Sequence, residues 1–147
     1  MAENITLTDG NDTETISNEI NSLQAGAGDD QITITGYLAY SNGWDTGGNN
    51  RIWAGEGNDT ITLEGGSQRL NANGHVWDTY VEGGDGDDAI YLKGADKTYG
   101  SVRGGAGADL IDASFALGAG RLEGGDGNDT IYASNEGDYL IGNDGID

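Results

Sequence analysis

The sequence has no cysteine, a single histidine and only six basic residues. Without cysteine, oxidation cannot staple the fold, and the redox compartment stays open. One histidine and no thiol leave transition metals without their preferred ligands. That histidine, His75, has no evident Ser or Cys partner, so it reads as a solvated or packing residue rather than a catalytic one. Six Lys and Arg stand against 26 Asp and Glu, a net charge of −20. This argues against nucleic acid, whose affinity comes from neutralising phosphates with basic side chains, and it fits an anionic membrane surface poorly. No apolar run is long enough for membrane insertion, and the first residues lack the charged and apolar regions of a secretory signal. Paired carboxylates can be drawn almost anywhere in so acidic a chain, so they carry no glycosidase signal. The expectation is that the chain is not an enzyme.

High charge with few large apolar side chains would ordinarily mean disorder. Here the acids sit at fixed places beside glycine, of which there are 28. The clearest stretch is Gly124-Gly125-Asp126-Gly127-Asn128-Asp129-Thr130-Ile131-Tyr132. It combines a tight turn, where glycine lets the backbone approach a ligand, with a closing aspartate and a β-prone run. The pattern recurs from Gly83 to Ile90 and from Gly104 to Ile111, and more loosely from Ala54 to Ile61 and from Ala25 to Ile32. Partial copies stand at Asp9–Asp12 and Gly142–Asp147. This nonapeptide resembles the repeats-in-toxin (RTX), or haemolysin-type, calcium-binding family.

The resemblance implies an all-β chain, a right-handed parallel β-roll or β-helix solenoid with calcium held between turns. The motif aspartates are Asp12, Asp30, Asp59, Asp88, Asp109, Asp129 and Asp147, spaced by 18, 29, 29, 21, 20 and 18 residues. Two nonapeptides make one coil in the family, so 18 residues is one coil and the spacings give about six to seven coils with insertions. One calcium ladder is expected on one edge, with the longer insertions, residues 35–50 and 64–79, on the other. By length the chain is a single domain over residues 1–147, with longer inserted coils at about 31–88 and regular coils at about 89–147.

Two apolar stripes fix the phase. Ile32, Ile61, Ile90, Ile111 and Ile131 follow each aspartate by two residues, and Ile34, Leu63, Leu92, Ala113 and Ala133 by four. That alternation is a strand with one buried face. Seven residues before each aspartate stand Ile5, Leu23, Ile52, Val81, Val102, Leu122 and Leu140, the second strand of each coil. Glu14 breaks the stripe in the first coil, where fraying is expected. The aromatics Tyr37, Tyr40, Trp44, Trp53, Trp77 and Tyr80 gather in the inserted coils, where they are expected to cover the wide end of a thin core. A sugar-stacking platform is the sharper reading of the same residues.

Stacked coils bring equivalent aspartates to roughly 4.8 Å, where two carboxylates repel by about 3.5 kcal/mol at an effective dielectric of 20. A hard divalent cation between turns reverses that sign. Ca²⁺ takes oxygen ligands in forgiving geometry, whereas Mg²⁺ demands a strict octahedron. The resemblance therefore implies about six Ca²⁺ per chain. The aspartates would be joined as ligands by turn carbonyls near Gly10, Gly28, Gly57, Gly86, Gly107, Gly127 and Gly145.

The resulting expectation is an extracellular calcium-binding structural protein, secreted or at the cell surface. It would be bacterial and exported without a cleaved N-terminal signal. Neither end carries an obvious polar cap, so head-to-tail association into a filament, surface layer or matrix is expected. The alternatives are a calcium-dependent folding and secretion module of a larger enzyme, toxin or adhesin, and a module binding extracellular polysaccharide.

Overall fold

The computed structural model describes residues 3–17, 20–35, 50–64, 79–94, 100–118 and 120–147. The described chain is all β and winds between two parallel sheets. One sheet holds β1 (Glu3–Thr6), β3 (Ile20–Ala27), β5 (Asn50–Glu56), β7 (Thr79–Asp85), β9 (Ser101–Ala106), β11 (Arg121–Asp126) and β13 (Tyr139–Asp144), side by side in that order. The other holds β2 (Thr13–Ile16), β4 (Gln31–Ile34), β6 (Thr60–Glu64), β8 (Ala89–Lys93), β10 (Leu110–Asp112) and β12 (Thr130–Tyr132), again in chain order. Each coil is one strand from each sheet joined by a glycine turn. The fold is a parallel β-roll.

Register follows the apolar stripes. Ile32 pairs with Ile61, Ile61 with Ile90, Ile90 with Ile111 and Ile111 with Ile131 in one sheet. In the other, Leu23, Ile52, Val81, Val102, Leu122 and Leu140 form a continuous row. Every second residue of these strands enters the space between the sheets, as a period of two requires. From Leu23 to Leu122 the row is at most 1% exposed. Towards the glycine turns the core tapers to Ala25 and Ala54, then to the buried Gly83, Gly104 and Gly124. A slip of one residue would turn every one of these side chains outward, so the stripes hold the register.

The outermost coils depart from the stripe. Leu140 is 49% exposed although its neighbour in register, Leu122, is fully buried, and Ala133 is exposed where an inward position was expected. Leu140 lies on the end strand of one sheet and Ala133 just past the end strand of the other, with no described strand stacked beyond either. At the other end Glu14 is exposed, so its charge stays in water, and β2 pairs with β4 over all four of its residues.

The aromatics also depart from expectation. Trp53 lies between Ile52 and Ala54, both 0% exposed, and therefore faces outward at 48% exposure. Tyr80, next to the buried Val81, also takes the outward phase of its strand. Neither covers the core, because strand alternation puts the odd residue outside. The inserted segments between β4 and β5 and between β6 and β7, with Tyr37, Tyr40, Trp44, His75 and Trp77, lie outside the described residues.

Leu122→Ala and Leu140→Ala remove the same side chain from adjacent rungs. At saturating calcium and low protein concentration, chemical denaturation should show a loss of about 2–5 kcal/mol for the buried leucine. The exposed one should cost about 0.5 kcal/mol or less. Equal losses would contradict the register.

Candidate metal centre

The six-residue turns join the two sheets along one edge. Taking Gly83-Gly84-Asp85-Gly86-Asp87-Asp88 as the type, the second and fourth positions adopt positive φ in every turn from Gly26 onward. At Gly107 (φ +142°) a Cβ would also overlap the carbonyl of Gly86 in the preceding coil, so space and conformation both demand glycine. Where the second position is not glycine it is Asn143, at φ 83°; asparagine tolerates this region best among the other residues. The carbonyls of Gly28, Gly57, Gly86, Gly107 and Gly127 all project across onto the equivalent glycine of the next coil. A row of backbone oxygens thus lines the space between turns.

The sixth-position aspartates form a continuous ladder. The backbone N–H of Asp12 donates to Oδ1 of Asp30 at 2.7 Å, that of Asp30 to Asp59 at 2.8 Å and that of Asp59 to Asp88 at 2.8 Å. The series continues from Asp88 to Asp109 at 2.8 Å, Asp109 to Asp129 at 2.9 Å and Asp129 to Asp147 at 3.1 Å. All seven motif aspartates are therefore brought into one row.

Only one oxygen of each inner carboxylate is satisfied this way. Asp30, Asp59, Asp88, Asp109 and Asp129 are at most 3% exposed, and the Oδ2 of each is buried with no hydrogen-bond partner. Burial, opposed by the backbone N–H and reinforced by neighbouring aspartates, pushes Asp88 up to about 7 and Asp59 and Asp109 up to about 6. Five orphaned oxygens in a row are costly unless a cation meets them. Carboxylate oxygen together with turn carbonyls is the donor set of a hard cation such as Ca²⁺. No group of three or more His, Cys, Asp or Glu side chains that could hold a metal ion is found among the described residues, so a site at these turns would need the backbone carbonyls.

The pattern of the turns decides the family. A family model for the RTX calcium-binding nonapeptide repeat matches four segments, residues 17–33, 44–70, 101–115 and 117–147, more than half of the chain. The chain belongs to the RTX calcium-binding repeat family. RTX repeats bind Ca²⁺ and serve as structural rather than catalytic units, and RTX proteins are typically secreted by bacteria. No characterised protein and no solved structure gives a significant match. The turn from Gly83 to Asp88 lies outside the matched segments yet stacks in the same RTX register.

The two end rungs differ from the five inner ones. Oδ2 of Asp12 accepts the backbone N–H and the hydroxyl of Thr8, at 2.8 and 2.7 Å, and Gly10 O accepts the same hydroxyl at 3.4 Å. Asp147 is exposed, and the carbonyl of Gly145 faces no further coil among the described residues.

A second ladder escaped the sequence reading. Fifth-position side chains accept N–H groups from the following coil: Asn11 from Asp29, Asp29 from Asn58, Asn58 from Asp87, Asp87 from Ala108 and Asn128 from Ile146, at 2.8–3.1 Å. Its polarity is opposite to that of the aspartate ladder, and Ala108, with no polar side chain, interrupts it. The available signal was the recurrence of Asn or Asp beside the motif aspartate. On the opposite edge, Asp138 also accepts two backbone N–H groups, that of Gly120 at 2.8 Å and that of Ser134 at 2.5 Å.

First-position glycines differ from fourth-position ones in a testable way. The atoms nearest to a Cβ on Gly104 belong to the side chain of its own Asp109, and Ala25 and Ala54 already occupy the equivalent place. Gly104→Ala should shift the calcium midpoint of folding only slightly. Gly107→Ala meets backbone at positive φ and should cost about 1–3 kcal/mol. Calcium titrations followed by circular dichroism compare them, and equal behaviour would contradict the turn geometry.

The raised acids also set a pH dependence. Between the ordinary carboxylate value near 4 and about 7, the native chain holds more protons than the unfolded one. Native stability without calcium therefore falls as pH rises through that window. In calcium-depleted buffer, β-structure should grow as pH drops from 8 towards 5. The calcium midpoint should meanwhile rise, because protons compete for the same oxygens. A flat or inverted profile would contradict burial of the ladder.

Proposed function

We propose that this chain is an extracellular, non-enzymatic structural element that folds when it binds calcium and associates end to end. The observation that carries the reading is the row of five buried aspartates, each with one carboxylate oxygen left without a partner. Asp30, Asp59, Asp88, Asp109 and Asp129 would hold the ions with the turn carbonyls between successive coils. About six ions would be bound, the weakest towards the ends, where Thr8 already occupies Asp12 and Asp147 is exposed. Ions bound only by the native state stabilise it by mass action, so dilute intracellular calcium would leave the chain unfolded and the millimolar calcium outside cells would fold it.

End-to-end association is supported by the last coil. Leu140, Tyr132, Tyr139 and Ile146 are 49–84% exposed there, and β13 and β12 each have a strand on one side only. Stacking the first coil of a second copy on this surface would pair the strand edges and bury Leu140 as Leu122 is buried. Such a contact is heterologous and need not close, so it yields filaments.

Circular dichroism in chelator should show a largely unfolded chain that becomes β-rich in millimolar Ca²⁺. Light scattering and negative-stain microscopy should then show elongated assemblies that dissolve on chelation. A β-rich spectrum that ignores chelator would sink the calcium reading. A calcium-loaded monomer at high concentration would sink only the assembly, and would favour a folding module of a larger secreted protein.

A further inference from the structure

The outer face of the seven-stranded sheet carries a trough that the calcium ladder does not use. It encloses about 450 Å³, within the range of ligand sites, and runs across the strands, along the axis of the roll. Its floor is the second-position glycines Gly55, Gly84 and Gly105, adjacent in register, so backbone rather than side chains is presented. One wall is the row Trp53, Glu82 and Arg103, again adjacent in register. The other wall is the acidic row that includes Glu56, Asp85 and Asp126.

Three features restrict what fits. Trp53, at 48% exposure, offers a flat apolar surface beside polar groups, which suits a ring with one apolar face and hydroxylated edges. Glu82 and Arg103 stand beside it on the same wall, a carboxylate acceptor next to a guanidinium donor. Near them, burial and the Glu82 carboxylate hold the Tyr80 phenol above its ordinary range, with Arg103 opposing. The wall thus keeps both donors and acceptors for hydroxyl groups. Four carboxylates against one guanidinium also repel polyanions. Finally, the rungs repeat at about 4.8 Å, close to the length of one pyranose unit, and the lining of the trough repeats along that direction.

We propose that this trough binds a neutral, linear polysaccharide, with a sugar ring stacked on Trp53 and its hydroxyls held by Glu82 and Arg103. The site requires the calcium-loaded fold but not end-to-end association, because it lies on the side of the roll. Binding survives if the protein proves monomeric.

The test is affinity electrophoresis and calorimetry on the calcium-loaded chain. The probes are hydroxyethylcellulose and mixed-linkage β-glucan, with hyaluronate and polylysine as charged comparisons. A neutral glucan should retard the protein. Trp53→Ala should weaken the association roughly tenfold or more, Trp53→Phe less, and Tyr132→Ala on the other sheet not at all. Calcium-induced circular dichroism of each variant separates lost binding from lost folding. Glu82→Gln, which keeps the wall's shape, should weaken binding without altering the calcium midpoint. The proposal is overturned if no neutral glucan binds, if polylysine alone binds, or if folded Trp53→Ala binds as well as the parent chain.

Discussion

A carboxylate placed in a dry turn must have its charge met, and the rest of this molecule is arranged around that constraint. Burial disfavours the ionised form more than neighbouring charges do, which is why desolvation leads the causes raising Asp59, Asp88 and Asp109. One oxygen of each is met by an N–H from the adjacent coil, and the other is buried without a hydrogen-bond partner. For the N–H to reach it, coils must stack in strict register. For coils to stack so closely at the turn, the second and fourth positions must lack a side chain. Glycine content, aspartate spacing and parallel pairing are one requirement seen at three levels.

The same constraint explains how a thin roll becomes cooperative. A repeat protein is stabilised by each unit and by the contact between neighbours. Here a single coil contributes few core residues, and the turns tie each coil to the next in two senses. Aspartates accept from the coil before, while fifth-position Asn and Asp side chains accept from the coil after. A cation held between turns, as proposed above, would add a third link, also between neighbours. Stability therefore sits mainly in the junctions between coils.

Much of this was legible because period and spacing are direct consequences of stacking. The Ile32, Ile61, Ile90 and Ile111 stripe and the Leu23 to Leu122 stripe stand as the repeat implied, and the seven aspartates stack in one row. What escaped has a physical reason in each case. Coulomb repulsion between aspartates was visible in the spacing, but the N–H donors that offset it depend on how far one backbone lies from the next. Asn11, Asn58 and Asn128 looked like turn residues, and their acceptor role appears only once two coils are stacked. Trp53 was grouped with core aromatics by composition, although the alternation of Ile52, Trp53 and Ala54 already placed it outside. Leu140 obeys the stripe in sequence but not in burial, because burial needs a neighbour on both sides.

The turn edge and the outer face of the larger sheet are coupled through shared backbone. Gly55, Gly84 and Gly105 floor the trough beside Trp53 and are also second-position residues of the calcium turns. Any ligand seated on that floor recognises a surface that exists only when the coils are stacked. By linkage, a ligand that binds the stacked form strengthens calcium binding by the same factor that calcium strengthens its own. The direction of that coupling does not depend on the ligand's identity. It follows because the same glycines line the trough and shape the turns.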